Sequence, residues 1–255
     1  MEEALQSWLL AFFRSGAFLT VLPLFSGSGI PAQVRVALAA LLGLLIAPGV
    51  HTSPLAGTHL SGLIGLCAQE VFSGVALGFI GRMAFYSADF AGRLIANELG
   101  LSLASMFDPL TQATNQAPGV IMFWMTLLLM LSLDLHHWLL AAFQQSYEVL
   151  PAGAAWINAA TVDTVTRHTA RVLAVGLRMA APMIAVSFII VLVFAMLGRA
   201  VPQMNVFSES LAVRILGGLS VFSFTLGIVA EHLANYLRRI PEDLLRLGQL
   251  MAGHS

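Results

Sequence analysis

Residues 163–199, DTVTRHTARVLAVGLRMAAPMIAVSFIIVLVFAMLGR, decide the fold class. A helix crosses a bilayer with roughly 20 mostly apolar residues, and this stretch supplies them behind a polar start carrying Asp163, Arg167 and Arg171. Pro182 removes one backbone donor and predicts a kink within the helix. Past Arg199, residues 202–209 read as a turn and residues 211–239 as the last long helix. Residues 241–251 form a short amphipathic tail with Glu242 and Arg246 at i,i+4 spacing.

Upstream, the same pattern repeats with less regularity. Residues 4–25 form a first apolar segment, closed by Pro23 and a turn over residues 26–29. Residues 34–47 are apolar but short for a span, so a hairpin with the first segment is expected. A long stretch, 60–104, is apolar to about Tyr86 and then amphipathic through Asp89, Arg93 and Glu98. Residues 105–119, with Pro109, Pro118 and several small polar residues, read as a loop. Residues 120–150 read as one further helix, broken by Pro151-Ala152-Gly153.

Composition agrees. Of 255 residues, 58% are hydrophobic and 10% charged, with a mean hydropathy of +0.85. Soluble domains run nearer a quarter charged, so lipid or partner protein must cover much of this surface. The expected class is an all-α helical integral membrane protein, one integrated unit with long kinked helices and hairpins. A formal net charge of -1 offers no electrostatic footprint for nucleic acid. Cys67 is the lone cysteine, which rules out an intramolecular disulfide or a CxxC site. The acidic start, Met1-Glu2-Glu3, is unlike a cleavable signal, so the first apolar run is expected to be retained. Stretches 47–62 and 134–160 carry no Arg and are assigned away from the cytoplasm by the positive-inside rule.

Few residues suggest chemistry. Asp134, His136 and His137 are close in sequence, but adjacent positions on a regular helix diverge by about 100°. They read as a polar helix end rather than a metal site, and Glu231-His232 reads likewise. Asp89 with Arg93, and Asp163 with Arg167, are each one turn apart. These are either local ion pairs near headgroups or contacts inside a hydrated assembly. A proton-coupled transporter would use such carboxylates too, although an Arg one turn away disfavours a free proton carrier. Gly74, Gly78 and Gly81 form a small-residue stripe suited to close helix packing. No catalytic residue and no cofactor motif is expected.

The loop over 105–119 lies between two strongly apolar helices. Non-helical backbone at membrane depth persists only where protein buries it or water reaches it. Met106 and Phe107, bulky and apolar, suit a deformable seal, with Asp108-Pro109 holding the turn. An extramembrane connecting loop is the other reading of the same residues.

Three motifs carry a resemblance. Asn97-Glu98-Leu99-Gly100-Leu101-Ser102-Leu103-Ala104-Ser105-Met106-Phe107-Asp108-Pro109 resembles the G-x-S-x-A-x-x-x-D-P stretch of the FliR family. Val201-Pro202-Gln203-Met204-Asn205-Val206-Phe207 is similar to that family's P-Q-x-x-(V/I)-F turn, and Ile30-Pro31-Ala32-Gln33-Val34-Arg35 to its I-P-x-x-(V/R)-(K/R) start. Glu98 departs from the neutral residue many members carry.

The resemblance implies a component of the flagellar type III protein export gate in the bacterial inner membrane, part of it above the bilayer plane in the basal body. It implies a FliP-like part over 1–162 and a FliQ-like hairpin with tail over 163–255. Implied partners are FliP, FliQ, an FlhB-like protein and unfolded flagellar subunits in transit. Met106, Phe107, Asp108 and Pro109 would plug the closed channel; Pro202, Gln203, Asn205 and Phe207 would line the cytoplasmic entrance. The related subunit of a virulence injectisome and a secondary transporter of small solutes are the alternatives.

Overall fold

Apolar runs of this length form helices because every backbone polar group is then satisfied within its own segment. A computed structural model of the chain describes residues 2–27, 29–50, 60–101, 117–156, 158–203 and 205–253. Among these, all regular structure is helical: α1 (Glu2–Val21), α2 (Pro23–Ser26), α3 (Ala32–Ile46), α4 (Leu60–Glu98), α5 (Ala117–Ser132), α6 (Leu135–Val149), α7 (Ala159–Ala200), α8 (Val206–Leu237) and α9 (Ile240–Met251), with a 3-10 turn at Ala47–Gly49. Five of the helical stretches are long and apolar enough to cross a membrane. The 42 residues of α7 would reach about 63 Å at 1.5 Å per residue. That is about twice a bilayer's hydrocarbon core.

Several boundaries differ from the sequence reading. The first segment does not run unbroken to Phe25: Leu22 is extended ahead of Pro23, because a proline excludes the helical region for its predecessor. With its 3-10 end, α3 reaches 18 residues and qualifies as a span, longer than its apolar run suggested. The expected loop over 105–119 is shorter at its far end, since Ala117, Pro118 and Gly119 open α5, where a proline in the first turn loses no helical bond. The single helix expected over 120–150 is interrupted: Asp134 adopts the left-handed conformation, φ 54°. The turn expected over 202–209 is confined to the residues between Ala200 and Val206. Pro182 sits inside α7, which continues through it.

The chain folds as two compact units that interleave along the sequence. One comprises residues 1–83, 133–169 and 237–255; the other comprises 84–132 and 170–236. In the first, α1 and α3 pair closely: a Cβ on Gly43 would stand 3.0 Å from Phe12 N, and Trp8 Nε1 donates to Ala40 O at 3.3 Å. Phe18 stacks on Phe143 of α6 at 4.4 Å. The tail helix α9 buries Ile240, Leu244, Leu247 and Met251, the i, i+4, i+7, i+11 stripe of an amphipathic helix. Its end is fastened by Trp156 N donating to Met251 O at 3.0 Å and Asn158 Nδ2 to Leu250 O at 2.7 Å.

The second unit has a core of Ala88, Ala91, Ile95 and Leu99 from α4, Met122 from α5, Met179, Ala180 and Met183 from α7, and Phe222, Val229 and Leu233 from α8. Small residues let these helices meet. A Cβ on Gly92 would collide with Gly119, and one on Gly176 would stand 2.6 Å from Phe90. Beyond this core, α7 and α8 expose Phe188, Ile189, Met196, Leu216, Phe224 and Ile228.

Candidate functional site

The segment that carries the expected plug leaves α4 at a well-held end. Leu99 is fully buried, packed where a Cβ on Gly218 of α8 would clash with it. Gly100 then takes φ 76°, a left-handed conformation that glycine adopts without a Cβ clash and that commonly ends helices. The carbonyl of Glu98, one of the acceptors a helix end leaves free, receives the Ser187 hydroxyl at 3.3 Å. Arg214 Nε donates to Ser187 Oγ at 3.1 Å, and its Nη2 lies 3.7 Å from Glu98 Oε2. Glu98 thus faces an arginine on α8. Met106, Phe107, Asp108 and Pro109 lie outside the described residues.

The turn between α7 and α8 is short and solvent-facing. Pro202, Gln203, Asn205 and Phe207 are all exposed, with Phe207 already in the first turn of α8. Asn205 starts that helix: its Oδ1 accepts from Ser208 N at 3.4 Å and its carbonyl from Glu209 N at 3.1 Å. Gly198 leaves room for Val206, which would stand 2.6 Å from a Cβ there, so the two helices close tightly behind the exposed tip.

Gly74, Gly78 and Gly81 lie on α4 facing α1 and the residue after it. A Cβ on Gly74 would strike the Arg14 carbonyl; one on Gly78 would stand 2.9 Å from Val21 Cβ, and one on Gly81 2.7 Å from Leu22 Cδ2. Asp89 and Arg93 form an ion pair at 2.9 Å, Asp163 and Arg167 another at 2.8 Å. All four side chains are exposed, so each pair contributes little to stability.

What the sequence reading missed is a buried cluster beside the glycine stripe. Arg14 and Glu70 are both wholly inaccessible to solvent. Arg14 Nε donates to Glu70 Oε2 at 2.6 Å and Nη2 to Oε1 at 3.1 Å, a bidentate pair of the strong kind. Both partners make one further bond each: Nη1 donates to Leu150 O at 3.0 Å, and Gly153 N donates to Glu70 Oε1 at 2.8 Å. The guanidinium also lies 4.1 Å above the Tyr147 ring. One cluster therefore joins α1, α4, the end of α6 and the turn that follows. The legible signal was a single Arg inside the apolar α1 and a single Glu inside the apolar part of α4, since such isolated charges usually pair.

Residues able to hold a metal are also closer than the sequence suggested. Asp134, His136 and His137 place one donor atom each within 4.8 Å of one another. His136 and His137 both lie within α6, but their rings turn toward each other, centroids 4.0 Å apart, and Asp134 stands at the break just before that helix.

Residues 5–240 match the family described as bacterial export proteins, family 1. Among curated relatives, the flagellar biosynthetic protein FliR of Caulobacter vibrioides is 30% identical, over 87% of this chain and 88% of its own. That of Escherichia coli strain K12 is 27% identical over 96% of both chains. The Bacillus subtilis protein of the same name is 29% identical over 82% of each.

Proposed function

The chain belongs to bacterial export proteins, family 1, and from that premise we infer that it is a membrane component of the flagellar type III protein export gate. The observation that carries this is the match over residues 5–240 together with five helical stretches able to cross a membrane. Relatives of that name from three distant bacteria align over most of their length, which favours the flagellar lineage over an injectisome. The family match removes the small-solute transporter reading.

The finer reading concerns the gate. The protein acts in the bacterial inner membrane of the flagellar basal body, assembled with FliP and FliQ and meeting an FlhB-like protein on the cytoplasmic side. Residues 1–162 serve as its FliP-like part and residues 163–255 as its FliQ-like hairpin. Its role is passive: it shapes a conduit for unfolded flagellar subunits and catalyses no reaction. Met106, Phe107, Asp108 and Pro109 form the plug of the closed conduit, with Pro202, Gln203, Asn205 and Phe207 at the entrance. Support comes from the end of α4, where Leu99 packs against Gly218 and Ser187, itself bonded by Arg214, holds the Glu98 carbonyl. Further support is the run of exposed large apolar side chains on α7 and α8, which asks for lipid or a partner.

Deleting residues 106–109 tests the plug. The expected outcome is a complex of normal mass recovered from native membranes and an ion leak across those membranes under voltage. A correctly assembled deletion variant with wild-type conductance refutes the plug.

A further inference from the structure

We propose that Asp134, His136 and His137 form a binding site for a borderline divalent cation such as Zn2+ or Ni2+. The site is built on the helix break. An Asp before a helix ordinarily accepts a hydrogen bond from the first turn's backbone amides. Asp134 precedes α6 yet makes no such side-chain bond, and it is the one non-glycine residue with positive φ among those described. Its carboxylate turns instead toward the histidines, with Oδ1 3.7 Å from His137 Nδ1. His136 Nδ1 is shielded from solvent and has no hydrogen-bond partner. Two imidazoles with centroids 4.0 Å apart and one carboxylate bring two nitrogen donors and one oxygen donor within 4.8 Å of one another.

That donor set selects the cation. Imidazole with carboxylate suits zinc, nickel or copper, whereas calcium and magnesium prefer all-oxygen shells. Metal–donor bonds of about 2.1 Å place tetrahedral donors about 3.4 Å apart. The donors here, within 4.8 Å, need to close by at most about 1.4 Å to reach tetrahedral spacing, a change within reach of side-chain rotation. Three protein ligands leave a fourth position for water or for a carboxylate or imidazole of a neighbouring molecule. The exposure of Asp134 and His137, 74% and 70%, leaves that position reachable. Bound metal would tie Asp134 to the first turn of α6 and hold its left-handed backbone in place.

The test is a titration of the full chain, purified in detergent without a polyhistidine tag and stripped by chelator. With Zn2+ and Ni2+, one cation per chain is expected, with affinity lowered at least about tenfold in His136→Gln and in His137→Gln and less in Asp134→Asn. Wild-type affinity in the His136→Gln/His137→Gln double variant, or no binding by the native chain, overturns the proposal. Should the variants lose their fold, diethylpyrocarbonate labelling of the native chain decides. Added cation should slow modification of His137 several-fold while leaving exposed His232 unchanged; equal labelling of His137 with and without cation overturns the site.

Discussion

The buried cluster of the first unit and the α7–α8 hairpin surface of the second solve opposite problems. Around Arg14 and Glu70 the chain completes itself: both charges are fully enclosed, paired and hydrogen-bonded to Leu150 O and Gly153 N. Along α7 and α8 it leaves itself incomplete, with Phe188 65% and Phe224 86% exposed. A charge buried against its partner serves the fold of one chain, because a lost partner strands the other in a medium that cannot solvate it. An apolar face left open demands lipid or protein from outside. The difference separates residues that keep this chain folded from residues that lipid or a partner must cover.

The comparison breaks most readily at Glu70. Replacing it with Ala leaves Arg14 buried and unpaired, at an expected cost of about 3–5 kcal/mol. The measurement is the protein's accumulation in membranes and its melting temperature in detergent. The Arg14→Met/Glu70→Leu double variant should recover most of that loss, since a well-packed apolar pair often equals a buried ion pair. If Glu70→Ala melts like the native chain, the cluster is not a fold determinant.

Changes on the hairpin should do the reverse. Phe188→Ser with Phe224→Ser is expected to shift the stability of the isolated chain by less than about 1 kcal/mol, as exposed positions usually do. Recovery of partner proteins in pull-downs should fall several-fold. Equal recovery would assign those faces to lipid alone.

The smallest expected effects belong to the exposed ion pairs. Asp89→Asn and Asp163→Asn each remove an i,i+4 pair worth about 0.3–0.5 kcal/mol, so melting should barely move in either. A large loss of assembly without a change in melting would place that carboxylate in a contact between subunits.

Much of the helix inventory was readable because hydrophobic runs and Pro or Gly punctuation are local signals. The end of the α3 run near Ala47 and the long α7 follow from neighbouring residues alone. So does the 2.9 Å approach of Asp89 and Arg93, four residues apart on one helix. The break at Asp134 was not readable: Leu133-Asp134-Leu135 contains neither Gly nor Pro, and a left-handed Asp is a backbone state that composition does not announce. With that break unseen, the meeting of Asp134, His136 and His137 was unseen too.

Composition and periodicity determined that this chain is helical and apolar, and its motifs placed it near an export family. Both depend on residues within a few turns of one another, or on order along the chain. Only the tertiary structure decided that Arg14 meets Glu70, 56 positions away, and that Gly74 lies where the backbone of α1 passes. Such pairings depend on which helix faces which, and no local pattern encodes that choice. It arises when enclosed charges must find partners and small residues let two backbones close together.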